Sequence, residues 1–483
     1  MREGANPVAA GELEARLRAD VARDLAEPNV AMLGPDDRRE LARQRILAWL
    51  ERYAGEQFAE GRPALTPGEE RSMGQAVLDA LFGLGRLQAL VDDPTVENID
   101  VNGCDRVWIT RADGTKEAGA PVAESDGALI EVIRSAAARL GLSERRFDTG
   151  RPELDLRLPD GSRLSAVMAV SARPAVSIRR HRFVDVTLDD LVTMGSMDGE
   201  VASLLAGAVR ARKNIVVSGA MNTGKTTLLR ALASEIPRRE RLVTIEQAFE
   251  LGLDRVPARH PDVVALEARP ANVEGEGEIG VAALVRRALR MNADRVIVGE
   301  VLGDEIIPML NAMSQGRSGS MCTIHADSSA GAFRRIASYA VQAPERLPVE
   351  STNLLIAGAV HFVVHLEVEA TVVAEPVGPA ALPALLSGGA GRVDGPCDPE
   401  ALSPWSTGPE VIFGPPARRC RFVSSVREVV DVDGSQLLSN ELFRPGAGRR
   451  AEPAAPLRPE TRRELVAAGY DPGGRTSTAL VGQ

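Results

Sequence analysis

Lysine is almost missing from this chain of 483 residues. Its 57 basic residues include only three lysines, at positions 116, 213 and 225, and all the others are arginines. A compact ammonium group donates hydrogen bonds from a point that a flat guanidinium group cannot copy. A lysine retained in such a chain indicates a chemical demand, so Lys225, which stands inside a glycine-rich loop, is the first candidate functional residue.

Cysteine, positive charge and aromatic residues are also scarce. The four cysteines form no C-x-x-C pair, which argues against a zinc module and for a reducing compartment. The net charge is −10 and aromatic residues make up 3% of the chain. The sequence therefore offers neither a positive field nor an aromatic-basic groove to recruit nucleic acid or acidic lipid.

Long hydrophobic runs are missing as well. Near the predicted core, the longest stretch without charged residues is 351–366, shorter than the roughly 20 residues that a membrane span requires. The N-terminus lacks the basic and then apolar pattern of a secretion signal. We therefore expect a protein that stays in the cytoplasm.

Length and pattern predict several domains, each with its own core. Strands alternate with helices from about residue 201 to 367, as in a parallel α/β sheet. Residues 371–418 hold 16 Gly or Pro in 48 positions, which indicates an insertion without a core. The predicted segments are a helical head (1–66), an α+β domain (67–182), a linker (183–200), the α/β domain (201–370), the insertion (371–418), return strands of the α/β domain (419–444) and a loose tail (445–483).

The most specific motif follows an apolar strand at 215–218 and reads G-x-x-x-x-G-K-[ST]. Such a loop wraps backbone N–H groups around phosphates at a helix N-terminus, and the strand and helix on either side disfavour a fortuitous glycine-rich turn. We predict that it binds ATP with Mg²⁺, with Lys225 bridging the β- and γ-phosphates and Thr226 ligating the metal. The predicted nucleotide-binding residues are Gly219, Ala220, Met221, Asn222, Thr223, Gly224, Lys225, Thr226 and Thr227.

Two predicted strands after this loop end in carboxylates and one in histidine. Glu300 closes the strand at 294–300, where it can orient or polarise an attacking water and organise Mg²⁺ through water. Glu246 closes the strand at 241–246 and is predicted to assist at the metal, although it could instead only cap the next segment. His325 is predicted to sense the γ-phosphate, with satisfied packing as the alternative.

Several strings extend this pattern and carry a resemblance. They include Leu-Val-Asp-Asp-Pro-Thr-Val-Glu-Asn-Ile-Asp-Val-Asn-Gly, Leu-Pro-Asp-Gly-Ser-Arg, Val-Ser-Ile-Arg-Arg, Glu-Gly-Glu-Gly-Glu and Thr-Ile-His-Ala, in this order. The chain resembles the secretion-superfamily ATPases of type II and type IV secretion and pilus assembly, and most of all the Tad/Flp pilus branch (CpaF-like). The resemblance covers residues 73–367 and 420–443.

The resemblance implies a function and an assembly. Members are cytoplasmic, RecA-like P-loop ATPases that form a ring, in this case a hexamer, and power pilus assembly or protein secretion at an inner-membrane platform. Their N-terminal α+β domain covers the nucleotide, and arginines outside the P-loop reach its phosphates. The positions that match those arginines are Arg163 and Arg179, which joins them to Glu300, Glu246 and His325 as predicted catalytic residues.

Three departures from the family pattern keep an alternative open. Gln247, Leu302 and Arg317 stand where the family has an acid, an arginine and a histidine. A regulator that binds ATP without turnover is therefore a second hypothesis, and a DNA motor a third, against which the acidic balance weighs. A GTPase is disfavoured because no Asn-Lys-x-Asp motif exists.

Overall fold

The computed structural model describes residues 7–140, 146–180, 185–269, 271, 275–314, 318–371 and 418–472. They form two units, one ending at residue 180 and the other comprising the described residues after it. Residues 372–417, nearly all of the predicted insertion, lie outside the described range. Within that range no helix is long and apolar enough to cross a membrane.

The first unit begins with helices that surround a small apolar core. Thr66 caps the fourth helix by accepting the backbone N–H of Glu69, whose carboxylate accepts the N–H of Thr66 in return. The core joins Leu17, Ile46 and Val77 from three of the helices. This helical cluster therefore extends to residue 82, beyond the predicted boundary at residue 66. The helices are α1 (Pro7–Leu25), α2 (Pro28–Ala31), α3 (Pro35–Ala59) and α4 (Pro67–Phe82).

An antiparallel sheet of six strands completes the first unit. Its strands alternate buried apolar and exposed polar residues, so one face packs against a helix and the other faces outward. The strand order is β3-β2-β1-β6-β5-β4. The elements are α5 (Leu87–Asp92), β1 (Val96–Asn102), β2 (Val107–Arg111), β3 (Lys116–Gly119), α6 (Asp126–Arg139), β4 (Glu153–Arg157), β5 (Arg163–Val167) and β6 (Ala175–Arg179).

The second unit is built on a sheet of nine strands. Six of them are parallel, and three antiparallel strands extend one edge. The order is β15-β14-β13-β12-β7-β11-β10-β8-β9. The strands are β7 (Ile215–Gly219), β8 (Leu242–Glu246), β9 (Val263–Glu267), β10 (Arg295–Val301), β11 (Met321–His325), β12 (Phe362–Thr371), β13 (Arg418–Asp433), β14 (Gln436–Pro445) and β15 (Ala451–Pro453).

Helices cover both faces of this sheet, which explains why its central strands are apolar almost throughout. Two hydrophobic clusters lie on the two sides, one including Leu205, Leu229 and Leu465 and the other Val285 and Ile336. The predicted fold class, an α/β core with a mainly parallel sheet preceded by an α+β domain and a helical head, is confirmed. The helices are α7 (Leu188–Thr193), α8 (Gly199–Arg210), α9 (Lys225–Ala233), α10 (Val281–Ala288), α11 (Ile306–Ser314), α12 (Ser329–Gln342), α13 (Val349–Ala359) and α14 (Pro459–Ala467).

The prediction of a loose tail over residues 445–483 is wrong for residues up to 472. Leu465 on α14 is fully buried, Tyr470 is nearly so, and the Tyr470 backbone lies against Gly207 of α8. A side chain at Gly207 would meet Tyr470 at 2.8 Å, so the helix and the tail approach as closely as a glycine allows. Part of the predicted linker is packed as well, because Leu188 and Leu191 of α7 belong to the same core.

Candidate active site

The P-loop connects β7 to α9 at the carboxyl edge of the parallel sheet. Gly224 immediately precedes α9 with φ +92°, and Asn222 has φ +61°, so the loop turns through left-handed conformations that favour glycine or asparagine. Gly224, the residue before α9, has no side chain that could cap the helix, as in a loop whose first helical N–H groups receive phosphate.

Lys225 lies at the start of α9 and is only 8% exposed. Its ammonium group donates to the backbone oxygens of Ala220 at 2.9 Å and Gly219 at 3.2 Å. Its Nζ is also 3.2 Å from Nδ1 of His325. The predicted lysine and the predicted histidine thus meet directly, with the ammonium group at the mouth of the loop.

His325 links Lys225 to Glu300. Its Nε2 is 2.5 Å from Oε1 of Glu300, which lies on the neighbouring strand β10. An ammonium group can only donate, so Nδ1 accepts from Lys225 and the ring proton resides on Nε2, where it is donated to the carboxylate. The structure therefore brings three predicted site residues, from the start of α9 and the ends of β11 and β10, into one hydrogen-bonded chain.

Glu246 is buried beside this chain rather than exposed in it. Its Oε1 accepts the backbone N–H groups of Glu250 at 2.9 Å and Leu251 at 2.8 Å, and burial raises its pKa to about 7. Its Oε2 is buried and finds no hydrogen-bond partner among the described residues. A side chain at Gly299 would meet Cγ of Glu246 at 2.9 Å, so the close approach of β8 and β10 requires this glycine.

The oxygens around Thr226 fit a magnesium ion that arrives with a nucleotide. Oγ1 of Thr226 is 3.5 Å from Oε2 of Glu250, and the backbone N–H of Glu250 donates to the carboxylate of Glu246. No cluster of three or more metal-ligating side chains exists in the described part of the chain. Magnesium at nucleotide sites needs none, because phosphates and water supply most of its ligands.

Arg163 and Arg179 lie in the first unit. They are directly opposite each other on β5 and β6, and both are exposed. Two like charges in such a cross-strand pair repel each other, and an anion between them would relieve that repulsion. Asp155 forms a long ion pair with Arg163, at 3.9 Å.

The departures from the family pattern are only partly visible. Leu302 is half exposed, and Arg317 lies outside the described residues. The backbone N–H of Leu302 donates to the carboxylate of Glu305, which holds the turn after β10. The turn after Glu300 is therefore held by the backbone of Leu302 and does not depend on its side chain.

Two residues are absent from the sequence-based predictions, one that contacts the P-loop and one that contacts the strand before it. Arg421 on β13 donates from Nε to the backbone oxygen of Asn222 at 2.9 Å. His365 on β12 is buried, its Nδ1 lies 2.9 Å from the hydroxyl of Ser218, and burial lowers its pKa to about 4. Neither residue belongs to a local sequence motif, because strand pairing in the sheet brings each of them to the P-loop or to β7. The one signal in the sequence was an arginine early in the return strand.

A buried strand, a P-loop, a helix and carboxylates on neighbouring strand ends define a P-loop NTPase. Comparisons with known proteins narrow this class. A putative conjugal transfer protein of Mycobacterium tuberculosis is 36% identical over 256 residues, which cover 51% of this chain and 70% of the relative. The type IV secretion system protein VirB11 of Brucella suis is 29% identical over 313 residues, or 59% of this chain and 84% of the relative.

A family model and a solved structure complete the comparison. The crystal structure of the VirB11 ATPase from the Brucella suis type IV secretion system aligns with 29% identity and a TM-score of 0.32, covering 63% of this chain and 94% of that one. Residues 82–370, more than half of the chain, match the family described as Type II/IV secretion system protein. The chain belongs to that family, and with its P-loop it is a secretion-superfamily ATPase.

Proposed function

We propose that this ATPase hydrolyses MgATP in the cytoplasm to power pilus assembly or protein secretion across the cell envelope, working as a hexamer on inner-membrane platform proteins. The observation that carries the proposal is the hydrogen-bonded chain Lys225–His325–Glu300 at the P-loop. Such a chain connects the group that holds the phosphates to the group that acts on water.

The roles follow from the contacts. Lys225 and the N-terminus of α9 hold the β- and γ-phosphates, and for this the ammonium group leaves the carbonyl oxygens that it now contacts. His325 then loses its hydrogen bond from Lys225, and its hold on Glu300 changes with it. Glu300 orients and polarises the attacking water. Nucleotide binding at Lys225 therefore changes the hydrogen bonding of Glu300 through His325.

The metal and the arginines supply positive charge. When bound, Mg²⁺ neutralises charge on the phosphates, and the residues that would hold it are Thr226, Glu246 and Glu250. Arg163 and Arg179 neutralise charge that develops during transfer, a role supported by their directly opposite positions on β5 and β6, which put two cationic residues side by side. Such arginines can contribute about 10³ to 10⁵ in rate.

Within the family we propose the Tad/Flp pilus branch, on the strings quoted above. A second candidate, conjugal transfer or type IV secretion, is favoured by the relatives in Mycobacterium and Brucella. An experiment in the native host distinguishes these two candidate functions. The gene is deleted and the deletion strain is complemented with the wild-type gene or with Lys225→Ala. Loss of surface pili supports the first candidate, whereas loss of substrate export with pili intact supports the second.

A mixing experiment tests the ring and the arginines together. Arg179→Ala and Lys225→Ala chains, each of which we expect to be inactive alone, are combined and ATP hydrolysis is measured. If Arg179 acts on a neighbouring subunit, activity reappears in mixed rings; if it acts within its own chain, no rescue occurs. Full activity of Arg179→Ala alone removes this arginine from the mechanism, and a monomer at all concentrations with ATP present removes the ring.

The other two hypotheses have their own readouts. Stimulation of hydrolysis by single- or double-stranded DNA would support a DNA motor, and the acidic net charge of −10 leads us to expect none. ATP binding without turnover in the wild-type protein would support a regulator.

A further inference from the structure

Thr226 and Arg230 lie on the same face of α9. They are four positions apart, the spacing at which helical side chains lie one above the other. Both contact one residue of the loop after β8. Oγ1 of Thr226 is 3.5 Å from Oε2 of Glu250, and Nη2 of Arg230 donates to the backbone oxygen of the same Glu250. One face of the helix therefore contacts Glu250 at its side chain and at its backbone.

Arg230 is buried although its guanidinium group carries a charge. It is 4% exposed, and its Nε donates to the backbone oxygen of Leu251 at 2.9 Å, next to the bond with Glu250. A buried charge is costly unless hydrogen bonds replace those that it made with water. The planar guanidinium group can hold two successive carbonyl groups in a fixed direction, which a lysine cannot do. Arg230 therefore fixes the backbone of the loop at residues 250 and 251.

Glu246 holds the same two loop residues by their N–H groups. Its Oε1 accepts from Glu250 at 2.9 Å and from Leu251 at 2.8 Å. The two residues are thus bound at their N–H groups by a carboxylate and at their carbonyl groups by a guanidinium. Oε2 of Glu246 is buried and has no hydrogen-bond partner among the described residues. Such an oxygen at the end of β8 suits a cation, or a water molecule that a cation holds.

We propose that Arg230 is a positioning residue for the magnesium ion of the nucleotide site, and that it holds the loop after β8 so that the carboxylates of Glu246 and Glu250 are available to a metal bound by Thr226. This inference rests on the proposed function, because it concerns the same MgATP site. Arg230 acts through the two carboxylates and not through the phosphates. Its loss should therefore weaken metal binding, by about tenfold or more, and leave metal-free nucleotide binding unchanged.

The test measures metal binding directly in the full-length protein saturated with ADP. Mn²⁺ prefers the same oxygen ligands as Mg²⁺, and its dissociation constant is obtained by electron paramagnetic resonance. Arg230→Met is compared with wild type and with Arg295→Met, which removes another buried arginine, 0% exposed, at the start of β10. We expect Arg230→Met alone to weaken Mn²⁺ binding, by about tenfold or more. Calorimetry with ADP in the presence of a metal chelator should give the same affinity for all three proteins.

Two outcomes overturn the inference: unchanged Mn²⁺ affinity in folded Arg230→Met, or an equal loss of metal-free ADP affinity, which would assign Arg230 to the phosphate loop. If Arg230→Met does not fold, Arg230→Lys is measured instead. Its ammonium group keeps the charge but cannot hold both carbonyl groups, so weaker Mn²⁺ binding is again expected and unchanged binding overturns the inference. A wild-type protein that binds no nucleotide would refute the proposed function itself, and the two failures are therefore distinguishable.

Discussion

The two edges of the large sheet carry charge clusters that differ in burial and in how completely their side chains are paired. At the carboxyl edge, His325 and Glu300 keep 29% and 38% of their side-chain surface exposed, and Lys225 contacts backbone oxygens of the P-loop and His325 at the place where phosphates are expected. At the amino edge, Arg295 is 0% exposed, and its guanidinium group binds both carboxylate oxygens of Glu240 at 2.7 and 3.1 Å.

The amino-edge cluster is complete without a ligand. The third nitrogen of Arg295 donates to the backbone oxygen of Val209 at 2.8 Å. A side chain at Gly319, where φ is +94°, would meet Arg295 at 2.7 Å, so the surrounding backbone closes over the pair. A buried ion pair in which every guanidinium nitrogen is hydrogen-bonded stabilises structure, whereas an open chain of donors and acceptors is arranged for a ligand. The predictions below test that contrast.

The largest effect is expected at Lys225. Lys225→Ala should abolish ATP hydrolysis, and Lys225→Arg should reduce it by about 10²-fold or more, because a guanidinium fork cannot take the ammonium position. The matched control is Lys213→Ala, which removes an ion pair with Glu464 on α14 and should hydrolyse ATP at the wild-type rate. Steady-state phosphate release measures all three. Wild-type turnover in Lys225→Arg would refute the argument from lysine scarcity.

Glu300→Gln comes next. The amide keeps shape and hydrogen bonding but loses the charge, so the variant should bind ATP like wild type and hydrolyse it about 10² to 10⁴-fold more slowly. Calorimetric binding and hydrolysis are measured on the same preparation. Equal turnover would transfer the role to Glu246.

At the amino edge the same kind of change should act on stability alone. Arg295→Met leaves the buried carboxylate of Glu240 with Arg212 as its remaining cation, and we expect the free energy of unfolding to fall by about 3 kcal/mol. Replacing Glu240 by leucine in the same chain should recover most of the loss. Urea denaturation gives the stability, and kcat per folded molecule should stay unchanged. A lower kcat with an unchanged free energy of unfolding would contradict the claim that the amino-edge cluster acts on stability alone.

A pH dependence of stability is also expected at the amino edge. Burial lowers the pKa of His361 to about 4, and its Nδ1 accepts the backbone N–H of Asn214 at 3.0 Å. The unfolded chain binds this proton near pH 6.5, so the stability from neutral His361 is present above that pH and is lost as pH falls from about 6.5 to 4.

At about 1.4 kcal/mol per pKa unit, His361 contributes up to about 3 kcal/mol to this loss. His361→Gln should therefore show a shallower decline of unfolding free energy over that pH range than wild type. His260 and His365, whose pKa values burial also lowers to about 4, remain in both proteins and cancel in the comparison. Identical slopes would contradict the prediction.

The contrast also explains what the sequence could predict. The P-loop, Glu300 and His325 were found because each ends a strand with a short local pattern, and parallel strands bring their carboxyl ends to one edge. Arg295 and Glu240 are 55 positions apart, Ser218 and His365 are 147 apart, and Asn222 and Arg421 are 199 apart. Contacts over such separations depend on strand order, which no local pattern in a single sequence specifies.

The tail was misjudged for a related reason. Residues 451–472 are rich in proline, glycine and charge, which is typical of loose segments, yet Leu465 and Tyr470 fill a site on α8. Two apolar side chains are enough when a complementary surface exists elsewhere in the chain. Composition does not reveal that surface.

Single-turnover hydrolysis with purified protein tests the central claim most directly. Excess enzyme is mixed with ATP, with and without Mg²⁺, and ADP formation is followed for wild type and Glu300→Gln. The account predicts Mg²⁺-dependent conversion of all bound ATP by wild type, and unchanged binding with far slower conversion by the variant. Wild-type protein that binds ATP and never converts it would contradict the account and identify the chain as a regulator.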